Sequence, residues 1–313
     1  MTKAAKGKAL ERAKSLVVMS TESGAMTPAI EAKIRRAFKG RRVVEFDASM
    51  DLEALVEPAG RVVVAGGDGS IGWVVRRLVD TRHPLGIIAL GTFNNFAKSL
   101  RLPTQVDAAI EVVKKGRARP ITLGKVNGHV FLEAAALGLF GDSIAVGESA
   151  KDRAFGAFAG DLKTMLVAKP FQYELKGDLR GSGTAMSLVF VNTTSIGAQM
   201  PVGDATPQEP YLEFAVHVGG SRRDIVGRIV SRVVMSKHAE EGEGQVFKFR
   251  KLEVTTKPQV RIYADNARRG STPATITAEL SALMVIMARS APKPKKLPAK
   301  PTKLAKKALK TGG

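Results

Sequence analysis

The run Val62-Val63-Val64-Ala65-Gly66-Gly67-Asp68-Gly69-Ser70-Ile71 leads an apolar strand straight into a glycine-rich turn and then into a helix-compatible segment. Glycines at 66, 67 and 69 let the backbone approach a bulky group closely and reach conformations closed to other residues. A helix start behind them supplies unpaired N–H groups and the positive end of a dipole, a combination that binds phosphate. Ser70 can cap that helix or bond a phosphate oxygen, while Asp68 can hold Mg2+ or accept a proton. Taken alone, the same turn also suits a structural connection with Asp68 as a solvated turn residue. No Gly-Lys-Ser/Thr follows and the spacing is not Gly-x-Gly-x-x-Gly, so neither common nucleotide loop is present.

A second element joins it. Leu85-Gly86-Ile87-Ile88-Ala89-Leu90 is another apolar strand, and Gly91-Thr92-Phe93-Asn94-Asn95-Phe96-Ala97-Lys98 is a glycine–hydroxyl turn opening an amide-rich helix. If the two strands are parallel neighbours, both turns lie at the carboxyl ends, where open α/β sheets bind ligands. Two such loops with hydroxyls, amides and bare backbone make a cradle for nucleotide phosphates.

The elements around them fit that placement. Strands are expected at 16–20, 42–46, 61–66 and 85–90, with helices from Thr27-Pro28 to Gly40, over 52–56 and over 70–79. Strands that read as continuous apolar runs, alternating with helices, predict an α/β layer with a parallel sheet. Beyond residue 120 the texture is mostly strand-like: 171–175, 185–192, 211–218, 247–256, 260–264, 274–280 and 282–287. Asn127-Gly128 is a two-residue hairpin signal. Helical stretches are expected at 151–168 and 221–235. The chain therefore divides into a basic leader (1–14), an α/β domain (15–120), a mainly antiparallel β-sandwich domain (121–290) and a Lys/Pro-rich disordered tail (291–313).

Composition narrows the chemistry. The 313 residues contain no Cys, which excludes thiol nucleophiles and Cys-ligated metals, and their four His share no ligand spacing. No apolar run approaches the ~20 residues of a membrane span, so the chain is expected to be cytoplasmic. The net charge is +20, but eight Lys without an acid lie in 291–313 and +4 lies in 1–14. The remaining +8 spreads over the folded part.

The two glycine motifs, in this order, resemble the diacylglycerol kinase catalytic domain family of lipid kinases, whose motifs read Gly-Gly-Asp-Gly-Thr and Leu-Gly-Thr-x-Asn-Asp-Phe-Ala. The likeness extends to Ser23-Gly24, to Val126-Asn127-Gly128 with Phe131-Leu132, and to Gly138. It implies a phosphofructokinase-like first domain that binds ATP and Mg2+, and a β-sandwich that serves the lipid substrate. Ser23, Gly24, Gly66, Gly67, Asp68, Gly69, Ser70, Gly91, Thr92, Asn94 and Asn95 would form the cofactor-binding set. Asp68 and Asp265 would be the catalytic carboxylates, one anchoring Mg2+ and the other taking the lipid hydroxyl proton. Asp68 and Glu209 would be the metal-holding residues.

The sequence departs from the family pattern at several places. Ser70 replaces Thr, Asn95 replaces Asp and Glu133 stands where Asn is common. The late Asp-Gly-Glu is here Asp265-Asn266-Ala267, and Asp-Gly-x-Leu, linked to a structural Mg2+, is Glu209-Pro210-Tyr211-Leu212. The expected activity is ATP-dependent phosphorylation of a lipid hydroxyl, with diacylglycerol as default and ceramide or a sphingoid base as alternatives. A catalytically weak nucleotide- or lipid-binding homologue is a second reading, and a basic nucleic-acid-associated protein ranks last. The basic tail is read as reaching an anionic membrane surface, giving peripheral association with the inner membrane face; a homodimer is left open.

Overall fold

The computed structural model describes residues 15–56, 60–138, 169–197, 200–201, 203–217, 246–265 and 267–290. The leader, the tail and the helices expected at 151–168 and 221–235 lie outside the described residues. The chain forms two compact units, one of residues up to 121 together with 280–290, the other of residues 122–279. The sequence-based division put 280–290 with the β-rich part. They group with the first unit, where Val285 pairs in parallel with Leu85.

The first unit alternates strand and helix: β1 (Ser15–Met19), α1 (Pro28–Ala37), β2 (Arg42–Glu45), α2 (Leu52–Leu55), β3 (Arg61–Gly66), α3 (Asp68–Leu78), β4 (Leu85–Ala89), α4 (Asn95–Ser99) and α5 (Val106–Lys115). Thr27 caps α1 by accepting the Ile30 N–H at 3.2 Å, and Pro28 follows at the first helical position. Asp51 caps α2 in the same way, from Ala54 at 3.0 Å. The strands run in the order β2-β1-β3-β4, all parallel. Every residue of β1, β3 and β4 is buried, as expected for a sheet covered on both faces. One face packs Val17, Met19, Val63, Ala65 and Ile88 against Ile34 of α1 and Ile110 and Val113 of α5. Registers Met19↔Ala65 and Gly66↔Ala89 bring three strand ends level, so the loops after β1, β3 and β4 leave the same edge.

The second unit is built from antiparallel strands. β5 (Arg117–Val126) and β6 (His129–Phe131) form a hairpin with Val126 opposite His129. Its turn residues have positive φ, 48° at Asn127 and 84° at Gly128, the type I′ geometry that Asn-Gly favours. β7 (Ala134–Gly138) follows, then β8 (Phe171–Gly177), β9 (Gly181–Ala185), β10 (Ser187–Val191), β11 (Ser195–Ile196) and β12 (Met200–Pro201). β13 (Leu212–His217), β14 (Val246–Phe249), β15 (Lys251–Lys257), β16 (Arg261–Ala264), β17 (Ala267–Ser271) and β18 (Ala274–Met287) complete it. One sheet has the order β14-β13-β10-β7-β16-β17; the other pairs β15 with β8 and with the start of β18, and β8 with β9. Phe131, Leu137, Phe190, Phe214 and Ile262 share a core with Tyr173, Leu175, Leu252, Val254 and Ile276. This is the expected sandwich.

Several elements differ from the sequence-based reading, and the strand expected at 247–256 is two, β14 and β15, in different sheets. The strands expected at 274–280 and 282–287 are one, β18, with Ser281 at φ 58° where the reading broke them. α3 begins at Asp68 rather than Ser70, so Asp68 belongs to the first helical turn. β9, the sequence Gly-Ser-Gly-Thr-Ala, has too little apolar patterning to announce itself as a strand.

Candidate active site

Three loops meet at the carboxyl edge of the parallel sheet, and small residues let them touch. Gly67 and Gly91 pack backbone to backbone: a Cβ on Gly91 would lie 2.9 Å from the Gly67 Cα, and one on Gly67 would lie 3.3 Å from the Gly91 Cα. Ser23 from the first loop accepts the Gly67 N–H at 3.0 Å, and the Ala25 N–H donates to the Leu90 carbonyl at 2.9 Å. A Cβ on Gly24 would meet the Thr92 hydroxyl at 3.2 Å. Ser23, Gly24, Gly66, Gly67, Asp68, Gly69, Ser70, Gly91, Thr92, Asn94 and Asn95 are thus brought together within one unit.

Their roles are not alike. Asn94 sits in the left-handed region at φ 55°, where Asn is better tolerated than most residues. Its side chain locks Gly91 from both sides, accepting the Gly91 N–H at 2.8 Å and donating to the Gly91 carbonyl at 2.8 Å. Asn95 is buried. Ser70 is buried too, and its hydroxyl donates to the Gly67 carbonyl at 3.1 Å, so it braces the turn from inside. Thr92 and Gly69 are exposed, and a Cβ on Gly69 would meet nothing within 4 Å. α3 has no side-chain N-cap, which leaves its first-turn N–H groups to an incoming acceptor.

Asp68 is the charged group of this edge. One carboxylate oxygen accepts the Asn94 N–H at 2.8 Å; the other, Oδ1, is buried with no hydrogen-bond partner among the described residues. Burial pushes its carboxyl above the ordinary aspartate range, against the opposing pull of the Asn94 amide, the Lys98 charge and the Asn95 amide. A desolvated carboxylate oxygen beside a bare phosphate cradle is the donor that suits Mg2+, which usually takes only one or two protein carboxylates and completes its shell with phosphates and water. No group of three or more metal-ligating side chains occurs among the described residues.

The second unit treats its candidates differently. Asp265, at φ 48°, accepts the Leu132 N–H on both oxygens at 3.1 Å and the Glu133 N–H at 2.9 Å. It ties the turn between β6 and β7 to the end of β16. Glu209 stands close to the Lys248 ammonium, which hydrogen-bonds the Tyr211 hydroxyl at 2.8 Å. That bond first, then the charges of Glu213 and Glu209, hold the Lys248 ammonium above its usual range. The Lys248 charge thus lies within reach of Glu209, the second residue expected to hold metal.

Comparison with known proteins bears on the same residues. Residues 15–126, which hold all three loops, match the model of the diacylglycerol kinase catalytic domain. Residues 15–126 belong to the diacylglycerol kinase catalytic domain family. A diacylglycerol kinase of Staphylococcus carnosus (strain TM300) is 25% identical over 237 residues, 73% of this chain and 77% of the relative. One from Staphylococcus aureus (strain bovine RF122 / ET3-1) is 23% identical over 236 residues, 73% and 75% of the two chains. A solved diacylglycerol kinase structure from Bacillus anthracis str. Sterne shares the fold, with a TM-score of 0.68 at 16% identity over 89% of this chain and 98% of that one.

Some residues that hold the fold together escaped the sequence reading. Glu213 is 2% exposed, and its Oε2 accepts the Asp204 and Ala205 N–H groups at 2.9 and 3.0 Å. Burial pushes its carboxyl up, and those two amides pull it back. A lone acid inside the apolar run Leu212–Val216 was the available signal. Buried Asn192 likewise holds the Thr122 and Leu132 carbonyls at 3.2 and 3.1 Å. Phe93 stands 39% exposed beside Thr92, a large apolar ring at the rim of the cradle. Trp73 packs edge-on against Phe46 at 5.4 Å and bonds the Ala48 carbonyl, in a structural role.

Proposed function

We propose that the protein is an ATP- and Mg2+-dependent lipid kinase that transfers the γ-phosphate to a lipid hydroxyl, with diacylglycerol the first substrate to test. The observation that carries this reading is the pairing of the close Gly67–Gly91 contact and the open backbone at Gly69 with the buried Asp68 Oδ1. The match of residues 15–126 to the family model and the likeness to diacylglycerol kinases over 73% of the chain support it. Phosphoryl transfer asks mainly for positioning and charge neutralisation. The first-turn N–H groups of α3 and the Thr92 hydroxyl would bind phosphate oxygens, and the Asn94 lock would keep the two loops at the spacing that binding requires. Asp68 would hold Mg2+, which when bound offsets the negative charge on the phosphates. Asp265 would act as a positioning residue for the Leu132–Glu133 turn. Peripheral association with the inner membrane face would bring the protein to its substrate.

A second reading rests on Asp265 and Ala267. With the first committed to backbone amides and the second lacking a carboxyl, the chain would bind nucleotide or lipid with weakened transfer. One experiment separates the two. Radiolabelled ATP is incubated with a panel of diacylglycerol, ceramide, sphingosine and phosphatidylglycerol in mixed micelles, using wild type and Asp68→Ala. Label in one lipid, lost in the variant, supports the kinase. Bound ATP with no labelled lipid supports the second reading.

A further inference from the structure

Phe93 and Phe96 belong to the same loop, and the fold uses them differently. Phe96 is 1% exposed, packed into the first unit at the start of α4. Phe93 is 39% exposed, the aromatic ring among the large apolar side chains left open to solvent in the described residues. Its chain neighbours are turned inward. A Cβ on Gly24 would meet the Thr92 hydroxyl at 3.2 Å, so Thr92 faces the first loop. The Asn94 side chain folds back onto Gly91, at 2.8 Å from both its N–H and its carbonyl, and the Asn94 N–H is taken by Asp68 at 2.8 Å. Asn94 makes these bonds with φ at 55°, a sharp turn of the chain directly after Phe93. The ring therefore stands out from a loop that is clamped on both sides of it.

Its place relative to the glycine loops selects the partner. Two peptide units separate the Cα of Phe93 from that of Gly91, which keeps them within roughly 7 Å, and the side chain extends that reach. A nucleotide held by its phosphates at the Gly67–Gly91 contact carries its base at a similar remove, beyond the ribose. A base is a flat ring with an apolar face and a polar edge, so one aromatic face removes its apolar surface from water while the edge stays wet. A flexible acyl chain has apolar surface on all sides and needs enclosing walls. Phe93 lies in the chain between polar Thr92 and Asn94, and a single apolar face among polar neighbours suits a base better than an acyl chain.

We propose that Phe93 is the stacking platform for the base of the nucleotide whose phosphates the glycine loops hold. The inference rests on the kinase reading and adds to it the group that tells a nucleoside triphosphate from a bare chain of phosphates. Stacking reads the face of a base and not its edge, so Phe93 holds adenine and guanine alike.

The experiment uses the full chain and calorimetric titration of ATP, GTP and inorganic triphosphate, each with Mg2+, on wild type, Phe93→Ala and Phe93→Tyr. Wild type is expected to bind the nucleotides about tenfold more tightly than triphosphate, the scale of one base on one aromatic ring. Phe93→Ala is expected to lose that advantage for both nucleotides, while its triphosphate affinity and its melting temperature stay close to wild type, as for other surface substitutions. Phe93→Tyr keeps the ring and restores tight nucleotide binding. Nucleotide affinity unchanged in Phe93→Ala would overturn the proposal, and a raised KM for diacylglycerol in that variant would then assign the ring to the lipid. Equal loss of nucleotide and triphosphate would overturn it too, making Phe93 a support of the loop. Wild type that binds neither nucleotide nor triphosphate would instead remove the kinase reading itself, and this inference with it.

Discussion

Asp68 and Asp265 make an instructive pair, one in each unit, both close to a strand's end and both expected from sequence to do chemistry. Asp68 opens a helix, keeps one oxygen on the Asn94 amide and buries the other with no hydrogen-bond partner among the described residues. Asp265 sits in left-handed backbone and brings two main-chain N–H groups onto its two oxygens. Burial drives the first carboxyl's pKa up; amides satisfy the second. A carboxylate left partly unsatisfied in a dry pocket is a cation site in waiting, whereas one that accepts adjacent amides is a clasp for a turn. Residue type was the same in the two places, and backbone donors decided the difference.

The sharpest way to break the comparison is to remove both acids in turn. Asp68→Ala is expected to lower transfer by about a hundred- to a thousandfold, the scale of losing one electrostatic contact in a preorganised site. Radiolabelled ATP and diacylglycerol give the readout; loss within tenfold would mean that Asp68 does not hold the metal. The pH dependence carries a sign of its own. Because burial raises the folded-state pKa of Asp68, the stability linked to its proton is complete below the unfolded value and is lost as pH rises through the folded value. Asp68→Asn should therefore be more stable than wild type at neutral pH, and the gap should close on acidification. Thermal melts across pH test this, and a constant gap would rule out Asp68 as the titrating group.

Next in size is the contact between loops. Gly91→Ala puts a methyl 2.9 Å from both the Asn94 Oδ1 and the Gly67 Cα. Backbone cannot swing aside as a flexible side chain can, so a loss of about 1–3 kcal/mol in unfolding free energy is expected, together with weaker nucleotide binding. An unchanged melting temperature would show that the loops stand further apart than they do here.

How much of this was legible beforehand follows the same divide. The phosphate loops could be read because Gly66, Gly67 and Gly91 are demanded by close approach, and such demands leave a residue-type signature. The parallel strands could be read from their buried β-branched runs. Asp265 was expected to be a catalytic carboxylate, and its clasp on the turn was not legible, because its partners are the N–H groups of Leu132 and Glu133, which every residue carries whatever its side chain. The return of 280–290 to the first unit was hidden as well, since a strand's apolar pattern says that it pairs and not with what.

Asp265→Asn comes third and tests the clasp directly. Asn keeps the preference for left-handed backbone, so the substitution isolates the carboxylate. One of the two acceptor oxygens becomes an NH2 facing a main-chain donor, and a cost of about 1–3 kcal/mol is expected. Transfer should fall mainly through this loosening, with KM moving more than kcat. A drop in kcat as deep as that of Asp68→Ala, with stability intact, would instead make Asp265 the proton acceptor and erase the contrast between the two units.

Gly69→Ala has the smallest effect on the fold and isolates the ligand's share of the cradle. A Cβ there meets nothing within 4 Å, and the residue lies in the first turn of α3. In the free protein the methyl is therefore harmless, and replacing a helical glycine should add roughly 0.5–1 kcal/mol of stability. The open space beside Gly69 is where a phosphate would have to approach the helix start. Nucleotide affinity, measured by calorimetry, is expected to fall about tenfold although the protein melts slightly higher, since displacing one well-placed charge-assisted contact is worth that much. Unimpaired affinity in a stabilised variant would mean that phosphate sits nearer Gly91, and the cradle would have to be redrawn around the second loop.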